Sequence, residues 1–161
     1  MSPDDSQRLT QRLTQRSTKL GERMYQPNII AVLVAGLIPM VIGSVWYGPL
    51  FGQMWINLTG KTEEEIRASI KPIKMYVVTF IMSLIMAYVL AHILEAFADA
   101  YDVTGLYAGI QGAFWVWLGF VFTVGYQAVA FGDKKLRLFG LNMAYNLVSL
   151  LGMGALIGIW R

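Results

Sequence analysis

Four side chains have the types and spacing that metal or acid–base chemistry needs: His92, Glu95, Asp99 and Asp102. Residues three or four apart share a helical face, so His92 and Glu95 fall together and Asp99 continues the row. The row offers oxygen ligands for a divalent cation, and His92 alone offers one axial ligand to the metal of a tetrapyrrole. The plainer reading is a helix end rising into water, with solvated carboxylates and an interfacial histidine. That reading is preferred, so no metal and no cofactor is predicted. A second constellation is neutral: Asn142, Asn146 and Ser149 repeat at i, i+4, i+7 and share a face. They either hydrogen-bond across helices, as such side chains commonly do in lipid, or line a polar passage. One histidine and no cysteine leave no nucleophile–base set of the familiar kinds, and no glycine-rich phosphate loop is present. The sequence therefore predicts a non-enzymatic protein.

The elements that must position these groups follow from composition. The chain has 161 residues, 56% hydrophobic and only 14% charged, where a soluble domain carries about 25% charged residues. A chain this short cannot hide so much apolar side chain in one aqueous core. Residues 24–60, 75–94, 103–132 and 138–160 contain no Asp, Glu, Lys or Arg. Each reaches the roughly 20 residues that cross a bilayer as a helix. We expect an all-α integral membrane bundle of four transmembrane helices at about residues 28–50, 73–97, 105–131 and 138–160, preceded by a polar arm over 1–27. Strict alternation is missing from runs such as Ile29 to Ala35, so a β-barrel is excluded.

The arm repeats Arg-Leu-Thr-Gln at residues 8–11 and 12–15. As a helix it places Leu9, Leu13, Leu20 and Met24 on one stripe beside Arg8, Arg12, Lys19 and Arg23. It reads either as a basic amphipathic helix on anionic lipid or as a frayed tail. Net charge is +3, with the bases beside membrane segments, so lipid accounts for them and nucleic acid is not expected. The arm, the second connection and the carboxyl terminus hold six Lys and Arg; the other side holds seven. The positive-inside rule does not orient such a chain.

The first span carries Pro39, which should kink it. It closes on Trp46, Tyr47, Gly48, Pro49, Leu50, Phe51, Gly52 and, past Gln53 and Met54, Trp55. Gly-Pro stops a helix and the rings suit the headgroup level, so the segment reads as an interfacial turn and re-entry. A short polar helix should follow Thr62, because Glu63, Glu64 and Glu65 oppose the helix dipole in a first turn. Small residues recur four apart in Ser44 and Gly48, in Gly105, Gly109 and Ala113, in Gly140 and Ala144, and in Gly154 and Gly158. These faces should be helix contacts, with a partner in the same chain, a second copy or another subunit.

The run from Trp46 to Gly52 with Trp55, the segment Met86 to His92, Trp117 to Phe120, and Leu136 to Phe139 with Asn142, Tyr145 and Gly152 to Ala155 resemble a small membrane-protein family known as domain of unknown function 1761. The resemblance covers about residues 28–160. It implies a four-helix membrane domain and no particular activity. From the residues we expect a structural protein or accessory subunit, associating with itself or with other membrane subunits through its small-residue faces. The alternative is a small oligomeric transporter or channel using Asn142, Asn146 and Ser149 with the His92 and Glu95 edge.

Overall fold

A computed structural model describes residues 3–22, 27–69, 72–132 and 135–160. Among the described residues the chain is α-helical with no strand. Helix α1 spans Pro3–Glu22. The Thr10 and Thr14 hydroxyls turn back to the Ser6 and Thr10 carbonyls at 2.8 Å, bonds that hold threonines inside a helix. Leu9 and Leu13 of the expected apolar stripe are exposed, while Arg23 and Met24 lie outside the described residues.

Helix α2 (Ile29–Val45) begins where the side chain of Asn28 accepts from the amides of Ile30 and Ala31, at 3.1 and 3.2 Å. This N-cap serves two of the amides that a helix start leaves open. Pro39 lies inside α2, yet the helix runs on past it. The regular geometry ends further along, at a kink within Trp46–Leu50, where Gly48 adopts the non-helical φ −99°, ψ −106°. Gly48 precedes Pro49, whose ring disfavours helical backbone one residue earlier.

Short helix α3 (Gly52–Thr59) ends on Gly60 at φ 72°, the left-handed cap that glycine adopts without a Cβ penalty. Helix α4 (Glu63–Ser69) follows as expected. Thr62 and Glu65 make a reciprocal box: the Thr62 amide donates to Glu65 Oε2 at 2.8 Å, and the Glu65 amide donates to Thr62 Oγ1 at 3.2 Å. The Thr62 amide, and after it the Thr62 hydroxyl, favour the charged carboxylate, so Glu65 titrates below its ordinary value of 4.5.

Helix α5 (Pro72–Tyr101) is 30 residues long. Helix α6 (Gly105–Val116) passes through a π-helical stretch at Trp117–Phe122 into α7 (Thr123–Ala130), and α8 spans Leu136–Ile159. Four helical stretches are long and apolar enough to cross a membrane: Ile29–Leu50, Ile73–Tyr101, Gly105–Ala130 and Leu136–Ile159. Against the expected spans the ends differ by a residue or two, except that the second continues past 97 through Asp99 to Tyr101. Carboxylates in a last turn are unfavourable to the helix dipole by only about 0.3–1 kcal/mol, too little to end the helix.

The core is built from small and branched side chains, with Ala35, Ala87, Leu90, Ala91, Leu94, Ala113, Leu150, Met153 and Ile157 buried where the four spans meet. Two of the small-residue stripes find each other within this chain. A Cβ on Gly109 would fall on the Gly154 carbonyl oxygen, and one on Gly158 would lie 2.5 Å from the Gly105 oxygen. Ala113 stands 2.6 Å from where Gly154 would carry its Cβ. The third and fourth spans thus cross backbone against backbone, the approach that small residues permit. The third span is otherwise peripheral: 11% of its apolar stretch is buried in the chain, against 33% of the fourth's.

Candidate functional site

The segment from Trp46 to Trp55 turns back and packs its rings onto α8. Tyr47 sits 5.1 Å from Tyr145 and 5.9 Å from Trp55, centroid to centroid. Trp46 packs on Phe51 at 4.7 Å and reaches Tyr145 at 6.5 Å. Gly52 allows the turn to close, since a Cβ there would lie 2.8 Å from the Tyr47 carbonyl oxygen. Two long-range hydrogen bonds fix the arrangement. The Tyr47 hydroxyl donates to Asn142 Oδ1 at 2.9 Å, and the Tyr145 hydroxyl donates to the Pro39 carbonyl at 3.0 Å. Gly43 leaves the room for that second contact, its Cβ position lying 3.3 Å from the Tyr145 hydroxyl.

Beside this cluster runs a lateral groove of about 500 Å³. The first span contributes Pro39, Met40, Gly43, Ser44, Tyr47 and Gly48; the second contributes Met75, Tyr76 and Thr79; the fourth contributes Tyr145. From Pro39 to Gly48 the groove follows the helix for roughly 14 Å, about one leaflet's depth of hydrocarbon. Its described walls are apolar and aromatic with a few hydroxyls, and no Asp, Glu, Lys or Arg is among the described residues that line it. The volume falls in the range of small-molecule sites, about 300–1,000 Å³.

The residues expected to act as an interfacial turn, Trp46, Tyr47, Gly48, Pro49, Gly52 and Trp55, are thus brought together, with Tyr47 and Gly48 on the groove itself. The polar row on α8 lies apart from the groove. Asn142 is tied to Tyr47, Asn146 is half-buried, and Ser149 is 1% exposed with a hydroxyl that makes no hydrogen bond of ordinary geometry. None of the three lines the groove. Among the described residues, no three His, Asp or Glu side chains are placed to hold a metal ion. His92, Glu95 and Asp99 rise on successive turns of α5, and Asp102 lies beyond the helix at φ 53°. The His92 ring packs on Tyr88 at 4.4 Å and its Nδ1 donates to the Tyr88 carbonyl at 2.9 Å.

A second, smaller cavity of about 430 Å³ lies at the other end of α5, with Phe97, Tyr101, Gln111 and Trp115 on its walls. Sequence reasoning missed both cavities. The groove needs Tyr145 opposite Pro39, a pairing across 106 residues that no local pattern announces. It also missed the π-helical stretch in the third span, where the Trp117 indole N–H donates to the Met143 carbonyl at 3.1 Å and ties that span to α8.

No curated protein and no solved structure matches this chain. The family model described as protein of unknown function (DUF1761) matches residues 30–158, from the start of α2 almost to the end of α8. The groove and every ring that frames it lie within that stretch, and the chain belongs to the DUF1761 family.

Proposed function

We propose that this protein is a non-enzymatic, multi-pass integral membrane protein that holds a lipid-sized amphiphile in the groove between its first, second and fourth spans. One coincidence of place carries the reading. The groove lies at the backbone break over Trp46–Leu50, against the aromatic segment on which the family resemblance rests. Non-helical backbone at membrane depth is tolerated where it is buried in protein or lines a cavity. An amphiphile is the matching occupant because the described residues of the walls are apolar with a few hydroxyls and carry no charge, and a bilayer supplies such molecules from the side. One histidine and no cysteine in 161 residues support binding over catalysis.

The test is native mass spectrometry of the protein purified in mild detergent, beside a Ser44→Phe variant that fills the groove. The reading expects one amphiphile retained per chain and its loss in the variant. An empty wild-type protein, or an adduct unaffected by Ser44→Phe, contradicts it.

A second reading, an accessory subunit or a homo-oligomer, keeps one supporting observation. Gly119 and Gly140 have nothing within 4 Å of a Cβ position, and the third span is the least covered by its own chain. In either reading α1 lies on anionic lipid, with Leu9 and Leu13 toward the acyl boundary and Arg8 and Arg12 at the headgroups.

A further inference from the structure

The hydroxyls that line the groove differ in what they have left to offer. A hydroxyl has one proton to give and two lone pairs to accept with. On the first and fourth spans three protons are already engaged inside the protein. Ser44 Oγ donates to the Met40 carbonyl at 2.8 Å, Tyr47 to Asn142 Oδ1, and Tyr145 to the Pro39 carbonyl. That wall therefore presents oxygens that can only accept. The facing wall carries Tyr76 and Thr79, both exposed and able to give or accept.

From this, and resting on the reading of the groove as an amphiphile site, we propose that the groove selects an uncharged head group that donates a hydrogen bond, an alcohol or a primary amide on an apolar chain. A head with only acceptors leaves Ser44, Tyr47 and Tyr145 unmatched, and two acceptors facing each other away from water are unfavourable. A protonated amine is also a donor. It would meet no carboxylate among the described residues that line the groove, and an unpaired charge at membrane depth is costly. A carboxylate head sets its own lone pairs against the acceptor wall. The head that remains gives a proton to the first and fourth spans and takes one from the second.

The experiment uses the full chain in amphipol, loaded separately with dodecanol, dodecyl methyl ether, dodecylamine and lauric acid, with occupancy read by native mass spectrometry. Dodecanol is expected to bind about five-fold more tightly than the ether, the worth of one well-made hydrogen bond, and more tightly than either charged head. Tyr145→Phe and, separately, Tyr47→Phe are expected to narrow the alcohol-to-ether ratio. Because the readout is a ratio within one protein, loss of stability in either variant does not imitate the result. Equal binding of all four heads, or preference for the ether, the amine or the acid, overturns the donor inference and leaves the groove reading in place. Binding of none of them, in wild-type protein that is folded, overturns both.

Discussion

The Tyr47 hydroxyl and the Asn142 side-chain oxygen, ninety-five residues apart in the chain, are joined by a hydrogen bond of 2.9 Å. This bond fastens the end of the first span to the fourth and sets Tyr47 as one wall of the groove. Hydrogen bonds between membrane helices average roughly 0.6 kcal/mol in double-mutant cycles. Tyr47→Phe combined with Asn142→Leu in such a cycle is expected to return a coupling of about that size, read from thermal unfolding in detergent. A coupling of zero would mean the contact does not hold the two spans together.

The crossing of the third and fourth spans gives a sharper contrast. Gly109→Ala places a methyl group on the Gly154 carbonyl, where backbone faces backbone and neither can yield. We expect a large loss of thermal stability. Gly140→Ala, on the same helix as Gly154 but with open space around it, should be neutral or slightly stabilising, since alanine is the better helix former by about 1 kcal/mol. Equal effects at the two sites would contradict the crossing.

Ser149 is 1% exposed and its hydroxyl lacks a partner of ordinary geometry. A buried polar group left unsatisfied costs about 1–3 kcal/mol, so Ser149→Ala should leave stability unchanged or raise it. A clear loss would show that the hydroxyl is engaged after all, with the neighbouring Tyr145 as the nearest candidate.

Outside the spans, the capping box of α4 makes a pH prediction. The Glu65 carboxyl sits below its ordinary 4.5 because the Thr62 amide and hydroxyl bond to it. A carboxyl lowered in the folded state adds stability that is fully present above the ordinary value and is lost as pH falls through the lowered one. Protection of the α4 amides relative to their intrinsic exchange rates, including the Ile66 amide bonded to the Thr62 carbonyl, should therefore hold at neutral pH and fall only below pH 4.5. Thr62→Ala should bring the Glu65 titration back toward 4.5.

How much of this was legible beforehand varied with distance along the chain. The four spans, the start at Asn28, the helix after Thr62 and the turn at Gly48-Pro49 were all readable, because local patterns of charge, capping and proline set them. The stripes Gly105, Gly109, Ala113 and Gly154, Gly158 were readable as contact faces, but their mates were not. Small residues announce close approach without naming the partner, and here the two stripes mate with each other. The expected kink at Pro39 pointed to the right helix, while the non-helical backbone falls at Gly48. The groove lay beyond local reading, since Tyr145, Thr79 and Pro39 meet only after three spans have packed.

The occupancy of that groove is the central claim, and photolabelling of the full chain in lipid tests it most directly. A long-chain alcohol bearing a diazirine on its apolar chain is added to proteoliposomes, irradiated, and the adducts are mapped by peptide mass spectrometry. The account predicts adducts concentrated on Met40, Ser44, Tyr76 and Tyr145 and suppressed by excess unlabelled alcohol. Adducts spread evenly over the lipid-facing residues, with the exposed third span labelled as strongly as the groove and no suppression by competitor, would contradict it.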